Sequence, residues 1–303
     1  MSGGGTVVGL VGYGRWGRHV LRDLRTLGCT VHVADPDPAA RAAAVRAGAV
    51  SAVPGAEALP PCAGFVVATP ASTHAAAVRD LLDRGRPVFV EKPFTTDAAD
   101  AADLAVAGAG RLFVMEKWRY HPAVALLREL VSSGALGAPV EVRTRRWAER
   151  RSQSDVGADW TLAPHDVSVL DELVGPLGPV QHARAVGRGG RTERLTATVA
   201  AACPASFDVW DAAPTSERSI EVRGRAGTAT WYSSDESVVV VEEAGGGPPD
   251  RRPVGPAELP LLAELRELVD HLGCGPPPRA TAEDGARTVA LVAAAVALAQ
   301  VDA

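Results

Sequence analysis

The sequence predicts an α/β protein in which a doubly wound parallel sheet is followed by an α+β region built on a mostly antiparallel sheet. Three observations carry that prediction. Short apolar runs alternate with amphipathic segments up to about residue 118, the pattern of a parallel sheet with helical crossovers. A glycine-rich loop, Gly12-Tyr13-Gly14-Arg15-Trp16-Gly17, lies between the first run and the first amphipathic segment. Beyond residue 119 the text becomes mainly strand-like, broken by Gly/Pro turns.

In order, Thr6 to Val11 is an apolar run bounded by glycines and reads as a buried strand. Gly17 to Leu27 places Val20, Leu21, Leu24 and Leu27 at helical spacing. A strand over 30–34, a helix over 38–47, a strand over 64–68 and a helix over 74–84 follow. The strand 87–90 leads into Glu91-Lys92-Pro93, and a helix over 97–107 precedes a strand over 112–115. In the second region a helix over 122–132 ends at Gly134. Strands are expected at 140–147, 180–186, 195–202, 219–223, 228–232 and 237–242, with a helical island at 165–173. Residues 245–256 read as a loop. Two helices close the chain. The first, about Leu259 to Leu272, has an apolar face of Leu262, Leu265, Leu268, Val269 and Leu272. The second opens at Thr281, with Asp284 placed for a variant of the capping box. The expected domains are residues 6–118 and 119–303, with the last helix, 281–300, free to pack back on the first.

Composition narrows the function. With 303 residues the chain suits two domains. A net charge of -5 argues against a nucleic-acid partner. No run approaches the roughly 18 apolar residues of a membrane span. The first residues carry no secretory pattern, and Cys29, Cys62, Cys203 and Cys274 follow no metal-ligand spacing, so no metal and a cytoplasmic location are expected. Of the 31 Lys plus Arg, only Lys92 and Lys117 are lysine. Arginine stays charged, whereas a lysine can lose its proton once its pKa falls, so two surviving lysines mark positions where arginine would fail.

The glycine loop follows a strand and opens a helix, and Asp35 ends the next strand eighteen residues after Gly17. That context fits a dinucleotide site. Gly12 serves the tight turn, Gly14 the approach of a pyrophosphate and Gly17 the close packing of helix on strand. The helix N-terminus, with Arg15 and Trp16, faces the phosphates. An Asp35 carboxylate accepts ribose hydroxyls and repels a 2′-phosphate, which favours NAD over NADP. Arg41 keeps NADP open as the lesser option.

Ala68-Thr69-Pro70-Ala71-Ser72-Thr73-His74, followed by Val88-Phe89-Val90-Glu91-Lys92-Pro93, resembles the Gfo/Idh/MocA oxidoreductases. Ser133 to Gly137 resembles a turn of that family, Ala163-Pro164-His165-Asp166 its catalytic histidine segment, and Thr281 to Ala297 its closing helix. The resemblance implies a Rossmann domain, a C-terminal domain with an open-faced sheet, and pyridine-nucleotide redox chemistry on sugars, aminosugars, sugar nucleotides or cyclitols. It implies cofactor contacts from Thr69, Pro70, His74, Glu91 and Lys92, and often a cis peptide before Pro93. It also implies a homodimer or homotetramer assembled through the second sheet. Lys92 and His165 are then the catalytic candidates. Thr161 stands where many members carry an aspartate or tyrosine, and threonine cannot replace a carboxylate base. Lys117, Arg119, Tyr120, Trp147, Trp160 and Asp166 are candidate substrate contacts, with Glu116 and Arg150 nearby. Glu116-Lys117 also reads as an internal salt bridge. The Ala/Gly/Arg bias fits a GC-rich bacterial source, where such enzymes serve specialised sugar or aminoglycoside pathways. A non-catalytic NAD-binding sensor and an imine reductase remain alternatives.

Overall fold

A computed structural model describes residues 5–149, 155–255 and 258–301. Arg150, a candidate wall of the site, lies outside them. Two compact units result, Met1–Lys117 with Leu261–Val289, and Trp118–Pro260 with Ala290–Ala303.

The first unit contains β1 (Val7–Val11), α1 (Arg15–Thr26), β2 (Thr30–Ala34), α2 (Pro38–Arg46), β3 (Ser51–Val53), β4 (Gly64–Val67), α3 (His74–Leu82), β5 (Val88–Glu91), α4 (Ala98–Ala107) and β6 (Leu112–Met115). The strands form one parallel sheet in the order β3-β2-β1-β4-β5-β6. The direction of winding reverses between β1 and β4, and such a switch point opens a crevice at the carboxyl ends of the strands. β4, β5 and β6 are buried along their length, which explains their continuous apolar runs.

The second unit follows with α5 (Pro122–Ser132), β7 (Pro139–Trp147), α6 (Ala158–Thr161), α7 (Ala163–Val174), β8 (Val180–Arg188), β9 (Arg191–Val199), β10 (Ala205–Trp210), β11 (Glu217–Gly224), β12 (Gly227–Tyr232), β13 (Asp235–Glu243) and β14 (Asp250–Pro253). Among the described residues its eight strands run in the order β14-β13-β12-β11-β7-β10-β9-β8, and only the β7–β10 pairing is parallel. Alternation gives this sheet one apolar face, with Val142, Leu195, Phe207, Ile220 and Trp231, and helices α5 and α7 join that core. The opposite face is polar and carries rows of ion pairs such as Arg194–Asp208 and Arg145–Glu217.

The chain closes with α8 (Pro260–Leu272) and α9 (Ala282–Val301). The sequence assigns α8 to the second domain, but Leu261, Leu265 and Leu268 bury in the core of the first unit with Phe89 and Phe113. The capping box forms: the Thr281 N–H donates to Asp284 Oδ2 at 2.9 Å, and the Asp284 N–H donates to Thr281 Oγ1 at 3.2 Å. β3, β10, β14 and α6 escape the sequence reading. β10 alternates cleanly, but it spans six residues between prolines, and β14 is an exposed edge strand with hardly an apolar residue.

Candidate active site

The three glycines of the loop are required for different reasons. A Cβ on Gly17 would lie 2.2 Å from the Gly12 carbonyl oxygen. Gly12 has φ +94°, and its Cβ would meet the Ala68 carbonyl at 2.7 Å. Gly14 has nothing within 4 Å of an added Cβ. The fold therefore demands Gly12 and Gly17, whereas the open space at Gly14 suits a ligand approaching the backbone. Gly14 precedes α1, whose first N–H groups and positive dipole end make a phosphate seat.

Asp35, just past β2, is held by backbone donors. The Tyr13 N–H donates to Oδ2 at 2.7 Å and the Asp37 N–H to Oδ1 at 2.9 Å. Each oxygen keeps a lone pair for a ribose hydroxyl. Arg41 turns its Nη1 to the Asp35 and Pro36 carbonyls at 2.9 and 2.8 Å, so this cation is tied to backbone.

His74 is buried at the start of α3 and bridges two loops. Its Nδ1 is 2.7 Å from the Pro93 carbonyl and its Nε2 is 2.9 Å from the Thr69 carbonyl. A neutral ring donates to one of these acceptors and an imidazolium to both. Its part is to clamp the Thr69-Pro70 turn against the segment after β5. Thr73 Oγ1 adds a bond to the Pro70 carbonyl at 2.8 Å. The Lys92–Pro93 peptide is cis. Lys92 itself is buried just past the carboxyl end of β5.

Around it lies a buried acidic cluster. Glu91, Glu116 and Glu264 are all inaccessible. Burial raises the pKa of Glu91, against the opposing charges of Lys117 and Lys92. Burial raises Glu264 well above the usual carboxylate range, and the like charges of Glu91 and Glu116 add to it. The Glu264 oxygens make no hydrogen bond of full geometry, and the Glu116 backbone N–H gives only partial relief. Lys117 places its ammonium 4.0 Å from the centroid of the Trp16 indole, which joins the strand-end lysine to the glycine loop. Sequence reasoning missed Glu264. The signal was an acid at a core position of an amphipathic helix, between Leu261 and Leu268.

In the second unit His165 and Asp166 occupy the first turn of α7, both buried. Asp166 Oδ2 accepts from Arg146 Nε at 2.5 Å, so its carboxylate latches α7 to β7. Thr161 donates its hydroxyl to the Gly157 carbonyl at 2.9 Å, a structural bond. Arg119 pairs with Asp171 at 3.0 Å on the far half of α7. Tyr120 ends the short turn Lys117–Tyr120, and Trp160 packs on the second core. Trp147 sits on the polar face of the sheet, edge-on to Trp210 at 5.6 Å, with the Arg145 guanidinium 4.5 Å above it. The inward face of β7 is the one that meets α7. Arg146, on that inward face, was not singled out from sequence.

These features define a dinucleotide-binding α/β unit joined to an α+β unit with an open-faced sheet. The model of the "Oxidoreductase family, NAD-binding Rossmann fold" matches residues 6–114. That match takes in the first unit's sheet and stops short of the second unit. Among curated relatives, an inositol 2-dehydrogenase of Acidothermus cellulolyticus is 35% identical over 144 residues, 44% of this chain and 42% of that protein. A UDP-N-acetylglucosamine 3-dehydrogenase of Acidithiobacillus ferrooxidans is 32% identical over 132 residues, 42% of this chain and 40% of that protein. These matches span less than half of either relative. The fold of a levoglucosan dehydrogenase, solved with NADH and levoglucosan, superposes with a TM-score of 0.87 at 17% identity, covering 99% of this chain and 98% of that one.

Proposed function

We propose that this protein is an NAD(H)-dependent oxidoreductase that passes hydride between nicotinamide and a secondary alcohol or ketone of a sugar, aminosugar, sugar nucleotide or cyclitol. The observation that carries the reading is Lys92. One of two lysines in the chain, it is buried past a strand end, in the unit whose glycine loop and Asp35 suit NAD. The similarity to dehydrogenases of inositol and of UDP-N-acetylglucosamine supports the substrate class.

NAD, when bound, supplies an acceptor or donor of hydride at the nicotinamide ring. The chain supplies the rest. Helix α1 and Gly14 seat the pyrophosphate, and Asp35 accepts the ribose hydroxyls. His74 holds the turns that flank the site. Lys92 donates a hydrogen bond to the reacting oxygen and takes its proton as the carbon gives up hydride, and His165 passes that proton on. Thr161 takes no part, its hydroxyl being committed to Gly157. The polar face of the second sheet is the surface through which we expect copies of the chain to form a dimer or tetramer. Four free thiols suit a cytoplasmic enzyme, and the Ala/Gly/Arg bias suits a bacterial sugar or aminoglycoside pathway.

The test is NADH formation from NAD⁺ with myo-inositol, UDP-N-acetylglucosamine and a panel of aldoses, alongside direct titration of NADH. Turnover of at least one polyol supports the reading. Tight NADH binding with no turnover of any of them would favour a sensor.

A further inference from the structure

Lys117 lies where several elements of the first unit converge. It follows β6, and its charge acts on Glu91 at the end of β5 and on Glu264 of α8. On its other side the ammonium stands 4.0 Å from the centroid of the Trp16 indole, in the first turn of α1. Lys117 and Trp16 are both half-buried. His19, one turn further along α1, meets the same indole edge-on at 5.3 Å. Burial lowers the pKa of His19, Arg22 adds to this, Asp23 opposes it, and Lys117 and Arg15 lower it again. The imidazole therefore stays neutral at about pH 7, and it is Lys117 that brings a charge to the indole.

The N-terminal end of a helix carries partial positive charge and repels a cation. The buried acids behind Lys117 offset that repulsion, and the indole face adds attraction on the other side. Trp16 in turn combines two parts in one residue. No side-chain cap closes α1, and its helical bonding starts from the Arg18 N–H to the Gly14 carbonyl at 3.2 Å. The N–H groups of Arg15, Trp16 and Gly17 are therefore the ones that meet a phosphate. Pinning the Trp16 indole pins a donor of the same residue.

We infer that Lys117 is a positioning residue of the dinucleotide site: its ammonium, set between the buried acids and Trp16, fixes the first turn of α1 in the form that seats a pyrophosphate. This rests on the NAD(H) reading above, and it gives Lys117 to the cofactor rather than to the substrate.

The test is calorimetric titration of NADH and of ADP-ribose, which keeps the pyrophosphate and lacks nicotinamide. The forms compared are wild type, Lys117→Met, Lys117→Arg, Trp16→Leu and the double variant Lys117→Met with Trp16→Leu. Lys117→Met should weaken both ligands about fivefold, the worth of a cation–π contact in a half-buried setting. Trp16→Leu, which leaves the acids their lysine, should weaken both to a similar degree. The double variant should lose no more than either single one. Lys117→Arg, whose guanidinium also stacks on an indole, should bind both ligands within about twofold of wild type. Additive losses, a loss confined to NADH, a loss in Lys117→Arg as large as in Lys117→Met, or equal affinities throughout would each overturn the inference. NADH formation from NAD⁺ and the polyol panel separates the two claims. Lys117-dependent binding with no turnover would sink the oxidoreductase reading and leave Lys117 its part at the loop. Turnover with an NADH affinity indifferent to Lys117 would do the reverse.

Discussion

The two units bury charge in different balance. In the first, Glu91, Glu116 and Glu264 are buried with Lys92, and Lys117 beside them is half-buried. In the second, the buried Arg146 is matched by the buried Asp166, while its register partner Arg218 is exposed. Buried charge is costly, so an uncompensated excess persists where something else answers it. In the first unit the excess is of acids, and Lys92 and Lys117 oppose it. In the first unit the cost is eased by a proton, because a carboxyl can take one up. An arginine cannot shed its charge in this way, so the buried Arg146 depends on Asp166.

The contrast can be broken first at its strongest contact. Asp166→Ala leaves Arg146 buried without its partner and should cost about 3–5 kcal/mol in urea unfolding, the usual penalty for half of a buried pair. A loss below about 1 kcal/mol would mean that Arg146 finds water. Next is the loop. Gly14→Ala should leave the melting temperature unchanged and weaken NADH binding about tenfold, roughly 1.4 kcal/mol. Gly17→Ala should instead lower the melting temperature, because its Cβ collides with backbone. If both variants behave alike, the separation of ligand-driven from fold-driven glycines fails.

The smallest effect is at Glu264. Its folded carboxyl is held above the ordinary value, so the folded chain keeps a proton that the unfolded chain has lost. Stability therefore falls as pH rises between the two values, by at most about 1.4 kcal/mol per pH unit. Glu264→Gln removes that dependence. Its melting temperature should match wild type near about pH 4 and exceed it increasingly toward about pH 8. A constant offset at every pH would show that Glu264 titrates normally.

The first unit was more legible in sequence than the second. Strand β2 and the turn to Asp35 could be read residue by residue, because apolar runs, a glycine loop and an acid at fixed spacing are local signals. Lys92 stood out by scarcity. Asp166 was legible as a site residue, but its pairing with Arg146 was not. That pair depends on β7 meeting α7, which no local pattern encodes. Glu264 drew no notice in sequence, because only the packing of α8 into the core of the first unit shows that this acid is buried. For His74 the structure adds what sequence could not show, the approach of both ring nitrogens to the Pro93 and Thr69 carbonyls.

The central claim is that Lys92 moves a proton rather than merely supplying charge. Lys92→Arg tests it most directly, with NADH affinity and polyol oxidation measured on the same sample. The account predicts NADH binding close to wild type and a fall in kcat of at least about a hundredfold, because the guanidinium keeps its proton. Wild-type turnover in Lys92→Arg would contradict it.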